Sequence, residues 1–94
     1  MLAFEWDEYK NQANKRKHGI WFEEAQTIWA DVDSLEFYND DLDLKEDRFI
    51  RIGFSSMMNF LLVVFFERKE GKVIRIISAR KATPKEREQY EEGI

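Results

Sequence analysis

Seven consecutive apolar residues, Phe60-Leu61-Leu62-Val63-Val64-Phe65-Phe66, constrain this chain more than any other feature. A half-buried strand alternates apolar and polar positions, whereas an unbroken apolar run belongs to a central strand covered on both faces. The run is far too short to cross a bilayer. It therefore demands strands beside it and something packed above and below. Upstream, Phe49 to Phe54 alternates, with Ile50, Ile52 and Phe54 on one face and Arg51 on the other. Downstream, Arg68-Lys69-Glu70-Gly71-Lys72 is a polar turn, so the next strand should return antiparallel.

In that next strand Ile74, Ile76 and Ser78 are expected on one face, and Val73, Arg75 and Ile77 on the other. Arg80 and Lys81 follow just past its end. Thr83-Pro84-Lys85-Glu86 then reads as a helix start: Thr83 as N-cap, Pro84 at the first helical position, Glu86 closing a capping box. Three cations are thus crowded into a strand, a corner and a fixed helix terminus. That grouping suits an anion, most of all a phosphate backbone.

The rest of the chain supplies the covering layer. Leu2 to Trp6 reads as a short strand, and Asp7 as the N-cap of a helix from about residue 8 to His18, stopped by Gly19. Only Tyr9 and Ala13 give that helix an apolar stripe, so it should lie on the surface. A second helix, from Trp21 or Phe22 to about Ala30, carries Phe22, Ala25, Ile28 and Trp29 at spacings that pack on a sheet. Leu35, Phe37 and Tyr38 suggest a short strand, followed by a turn or loop at Asp40, Asp41 and Asp43. The expected architecture is α+β: an antiparallel meander of about four strands plus a short N-terminal strand, packed by two N-terminal helices, with a short C-terminal helix. Residues 1–94 form a single domain, too short for two independent cores.

Composition narrows the function classes. The chain has no cysteine and one histidine, so a disulfide framework or thiolate metal site is excluded. Asp40-Asp41-Asp43 lacks the glycine and terminal glutamate of a calcium loop, and no phosphate-cradling glycine loop is present. No metal and no cofactor are expected. The N-terminus lacks the basic and apolar regions of a signal peptide, and a cytoplasmic location away from membranes is the expected reading. Net charge is −4, against indiscriminate nucleic-acid binding, but residues 1–47 hold 13 acidic and 5 basic side chains while residues 48–94 hold 6 and 10. Either the second half carries a basic working surface or the halves neutralise each other in the fold.

Three segments carry a family resemblance: KHGIWFEEA (Lys17 to Ala25), Arg51-Ile52-Gly53, and RIISARKATPKEREQYEE (Arg75 to Glu92). With the opening FEWDEYKNQANKRKHG, they resemble the BrnT toxins, small ribonucleases of type II toxin–antitoxin systems. The resemblance implies a RelE-like fold and RNA cleavage without a metal. It also implies neutralisation by a BrnA-like antitoxin with a ribbon-helix-helix portion, through which alone the toxin would reach operator DNA. Two departures stand out. Trp21 occupies a position where the family often has Ser or Thr, and Met58-Asn59 stands where a Gly-Arg pair is common. The second departure raises an alternative: a catalytically weakened homologue that binds an antitoxin and co-regulates transcription.

RNA carries its own nucleophile, the 2′-hydroxyl, so a protein needs only to position it, assist proton transfer and stabilise the phosphorane-like transition state. Guanidinium forks match phosphate oxygens. Arg51 and Arg75 on the sheet, Arg80 and Lys81 at its rim, and His18 for proton transfer are the catalytic candidates. Arg48, Arg68 and Tyr90 are the candidate RNA contacts. Each has a structural alternative: solvation or a surface carboxylate for the cations, the helix dipole for His18, sheet cover for Tyr90. Guanidinium groups from separate strands are expected to converge on one phosphate pocket beside the terminal helix.

Overall fold

In the computed structural model, which describes residues 2–39 and 48–93, the apolar run lies at the centre of a five-stranded sheet. The strands are β1 (Ala3–Glu5), β2 (Leu35–Asn39), β3 (Arg48–Phe54), β4 (Phe60–Arg68) and β5 (Val73–Lys81), in spatial order β1-β5-β4-β3-β2. Strands β2 to β5 form the antiparallel meander that the turns imply. The sheet as a whole is mixed, however, because β1 pairs parallel to β5, Ala3 opposite Val73 and Glu5 opposite Arg75. This corrects the antiparallel expectation. Two helices separate β1 from β2, so the chain crosses over before the meander begins, and a three-residue strand carries no pattern that specifies its partner's direction. The acidic turn expected at Asp40, Asp41 and Asp43 lies outside the described residues.

The first helix, α1 (Glu8–His18), starts where Asp7 accepts the main-chain N–H groups of Tyr9 at 2.8 Å and Lys10 at 3.4 Å, and ends at Gly19 with φ 76°. Its docking face is not the Tyr9–Ala13 stripe; Tyr9 is 77% exposed, and the buried residues are Asn11 and Asn14. Asn14 supplies what β1 is too short to give. Beyond Arg75, β5 has no strand on its outer edge among the described residues, and the Asn14 amide pairs with the Ala79 backbone instead. It donates to the Ala79 carbonyl at 2.9 Å and accepts the Ala79 N–H at 3.1 Å. A side chain thus stands in for a missing strand residue and covers the edge. Asn11 accepts the Phe22 N–H at 2.7 Å, fixing the corner into the next element.

The expected second helix is one α-helical turn, α2 (Phe22–Ala25), continued by a 3-10 segment (Gln26–Ala30). Phe22, Ala25 and Ile28 still reach the sheet, where they bury against Leu61, Val63, Phe65, Ile74, Ile76 and Ala79. The opposite face is covered at one end by α3 (Pro84–Glu92), which starts with the expected Thr83–Glu86 capping box. Under α3, Ile52, Phe60 and Leu62 form a smaller cluster with Phe54 and Tyr90 against it. Gly53 lets the turn after the 3-10 segment approach β3. A Cβ there would meet the Ser34 Cβ at 2.8 Å and an Asp31 carboxylate oxygen at 3.1 Å. No helix among the described residues is long and apolar enough to cross a membrane.

Candidate functional site

One irregularity in β5 decides which cations share a surface. Phe65 pairs with Ile76 and Val64 with Ser78, so Ile77 is an extra residue in the β5 ladder. Such a bulge reverses the in-out alternation beyond it. Ser78 therefore leaves the face of Ile74 and Ile76, where simple alternation puts it, and joins Arg75. Arg80, which alternation would place opposite Arg75, joins the same face, across from Leu62. Both lie within the strand, which extends to Lys81 rather than ending before Arg80.

The α3-side face that results is ordered in rows. Arg48 on β3, Phe66 on β4 and Arg75 on β5 are direct cross-strand neighbours, and the Arg48 guanidinium lies over the Phe66 ring at 5.3 Å. Ile50, Val64 and Ser78 form the next row; Ile52, Leu62 and Arg80 form the third, at the edge of α3. Cations alternate here with apolar and aromatic groups. Arg75 donates to Glu5 at 3.1 Å, and Arg68 holds the same carboxylate. Those hydrogen bonds, with Arg75 foremost, keep the Glu5 carboxyl below its ordinary value. One anion shared between two guanidinium groups leaves this end of the face positive. At the other end, Arg80 forms a two-pronged pair with Glu86, both bonds 2.9 Å, which raises the arginine and lowers the carboxyl.

Arg51 is elsewhere. It pairs across from Val63, on the face packed by α2 and the 3-10 segment, which separates it from Arg75. It donates to Ser34 at 2.6 Å and Glu36 at 2.9 Å, with its guanidinium 5.1 Å from the Trp29 ring centre. The expectation that Arg51 and Arg75 converge on one pocket is thereby corrected: β3 and β4 are in regular register, so Arg51 must share the face of Val63. Lys81 is also on that face, opposite Leu61 at the exposed strand end. Tyr90 covers the sheet, with its ring against Phe54 and Phe60 and its hydroxyl donating to Asp31 at 2.9 Å. Burial first, then that bond, pushes the Tyr90 hydroxyl up to about 12.

His18 is in the last turn of α1, lining a cleft of about 210 Å³ between that helix and the bulge, with Lys10, Lys17 and Ser78. Ser78 is the residue common to this cleft and the arginine face. Sequence reasoning missed Phe66, Ser78 and the two lysines. The helical spacing of Lys10, Asn14, Lys17 and His18 held the signal for the lysines, but nothing local announces a bulge. Asn59, where the resemblance leads one to expect arginine, donates to Glu24 of α2 at 2.8 Å, and Met58 before it adopts φ 64°, a conformation natural to glycine. The missing arginine thus belongs to the α2 side of the β3–β4 turn, not to the Arg48–Arg75 row. No group of three or more potential metal-ligating side chains is gathered among the described residues.

The family model described as the ribonuclease toxin BrnT of type II toxin–antitoxin systems matches residues 6–86. The chain belongs to the BrnT toxin family. Among solved structures it is similar to the 1.1 Å crystal structure of the Brucella abortus ribonuclease toxin BrnT, with 25% identity and a TM-score of 0.67. That match covers 88% of this chain and 99% of the Brucella chain. A search of curated proteins found no match. Membership in the BrnT family makes this a ribonuclease toxin, with RNA as substrate and an antitoxin as partner.

Proposed function

We propose that this BrnT-family chain is an endoribonuclease that cleaves RNA without a metal, using the α3-side face of the sheet. The observation that carries this reading is the Arg48–Phe66–Arg75 row, continued by Ser78 and Arg80, on the face opposite the main core. Arginines can hold successive phosphates, while the Phe66 ring offers a base a stacking surface. Arg75 is the leading transition-state donor, since Glu5 occupies only one of its nitrogens among the described residues. Arg80 adds charge at the rim while fixed by Glu86, and Arg48 and Arg68 extend the track for RNA. Arg51 and Tyr90 are assigned to the corners they already hold together, and Lys81, exposed at the strand end on the other face, is left outside the site.

In the proposed step, the 2′-oxygen attacks the adjacent phosphorus, losing its proton, and the bond from phosphorus to the 5′-oxygen breaks. The 5′-oxygen leaves with a proton, giving a 2′,3′-cyclic phosphate and a 5′-hydroxyl. We assign these proton transfers to His18, which lines the cleft that reaches the arginine face at Ser78, a role worth on the order of 10²–10⁴ in rate. Cellular RNA in the cytoplasm is the substrate. A BrnA-like ribbon-helix-helix antitoxin neutralises the toxin by laying acidic side chains on the arginine face. The antitoxin alone contacts operator DNA.

The test is to incubate antitoxin-free protein with RNA in excess chelator and to analyse the product ends. Cyclic phosphate ends are expected. Absence of cleavage in chelator, with activity restored by a divalent ion, would overturn the metal-free reading. The alternative of a weakened homologue, motivated by Met58-Asn59, predicts no cleavage in either condition with antitoxin binding retained; the engagement of Asn59 by Glu24, away from the arginine row, supports the active reading.

A further inference from the structure

We infer that the cleft between α1 and the β5 bulge binds a backbone phosphate of single-stranded RNA next to the one being cleaved. The inference rests on the ribonuclease reading and extends it to the path of the substrate. Lys10, Asn14, Lys17 and His18 occupy one stripe of α1, spaced by four, three and one. Asn14 is fastened to the Ala79 backbone, so the cations on either side are held beside β5. Opposite them are Ile77, the bulge residue, and Ser78.

Three facts point to an anionic occupant. Among the described residues, Lys10, Lys17 and His18 have no carboxylate partner, so the lysine charge lining the cleft is not neutralised by the protein. Ser78 is half-buried and its hydroxyl makes no hydrogen bond among them, so it is available to an incoming group. Finally, Ser78 belongs to both the cleft and the Arg75–Arg80 face, so one strand of RNA can pass from one to the other over the β5 edge.

The chemistry selects the kind of RNA. A cleft of about 210 Å³ has room for one phosphate with its sugar. In-line attack by a 2′-hydroxyl also requires the strand to leave A-form geometry, which favours single-stranded segments. Lysines act as point charges that grip phosphate without reading the base. The cleft therefore positions the strand and contributes no sequence preference.

The experiment measures binding of a 2′-O-methyl RNA oligonucleotide, which cannot be cleaved, by fluorescence anisotropy across a salt series. The wild type is compared with Lys10→Ala/Lys17→Ala and with Lys69→Ala/Lys72→Ala, which removes equal charge at the β4–β5 turn. The cleft variant is expected to bind on the order of tenfold more weakly at low salt, with a log–log salt slope smaller by roughly 1.4, about 0.7 per lost contact. The turn variant should follow the wild type. Equal losses in both variants, or none in the first, would overturn the cleft as a phosphate site. So would tighter binding of a duplex than of a single strand. In those cases cleavage of natural RNA by the wild type still upholds the ribonuclease reading; a wild type that neither binds nor cleaves RNA defeats both.

Discussion

The two faces of the sheet divide the work. On the helix-covered face, Phe22, Ile28, Leu61, Val63 and Phe65 have no measurable exposure, and the core is continuous from α2 to β5. On the α3-side face, full burial among the described residues is confined to Ile52, Phe60 and Leu62, and the remaining rows carry arginines beside half-buried Phe66 and Val64. A 94-residue chain cannot build two full cores. It concentrates stability on one side, leaving the other free to carry charge. The arginines reflect this division: Arg51 braces a corner of the covered face, and Arg75 stands on the open one.

Neighbouring residues of β4 give the sharpest comparison. Phe65→Ala should cost about 3–5 kcal/mol in urea denaturation, because its ring fills the main core against Trp29 and Phe49. Phe66→Ala should cost only about 1 kcal/mol, yet weaken RNA oligonucleotide binding by roughly 1–3 kcal/mol through lost stacking. Equal destabilisation by the two would mean that the faces are not specialised. A smaller effect is expected from Asn14→Ala, roughly 2 kcal/mol, since it strips partners from a buried N–H and a buried carbonyl of Ala79. Amide exchange at Ala79 should accelerate in that variant; unchanged protection would show that the edge is closed by something else.

The smallest effect concerns α3, which has no fully buried residue and is held by Tyr90–Asp31 and Arg80–Glu86. The Glu86 carboxyl is held below its ordinary value, first by Arg80. Burial acts to raise Asp31, but the N–H groups of Phe54 and Asp33 and the Tyr90 hydroxyl outweigh it and lower this carboxyl too. Their stabilisation is complete above the ordinary carboxylate range and is lost as pH falls through the lowered folded values. Tyr90 has the opposite sign. Its contribution is complete below the ordinary value of 10.0 and is lost as pH rises towards about 12. Tyr90→Phe should cost about 1 kcal/mol at neutral pH, with the gap from wild type closing between pH 10.0 and about 12. A gap independent of alkaline pH would mean that the hydroxyl does not hold α3.

Much of the fold was legible because its signals are local. Asp7 and Gly19 bound α1, Thr83 and Glu86 open α3, and the run from Phe60 marks the central strand. What escaped depends on pairing across the chain. The direction of β1 is set by a crossover, and the docking of α1 by asparagines whose partners lie on another element. The candidate site was legible as residue types and not as a constellation. Arg75 and Arg80 share a face only through the extra residue at Ile77, whereas Arg51 is excluded by a register with no irregularity.

The claim that the arginine-bearing open face cleaves RNA is tested most directly by comparing Arg75→Ala with Arg51→Ala in a cleavage assay on folded, antitoxin-free protein. Arg75→Ala should lose on the order of 10²–10³ in rate while keeping its fold, and Arg51→Ala should keep its rate per folded molecule while losing stability. The reverse pattern, with Arg75→Ala fully active and Arg51→Ala folded but inert, would contradict the account.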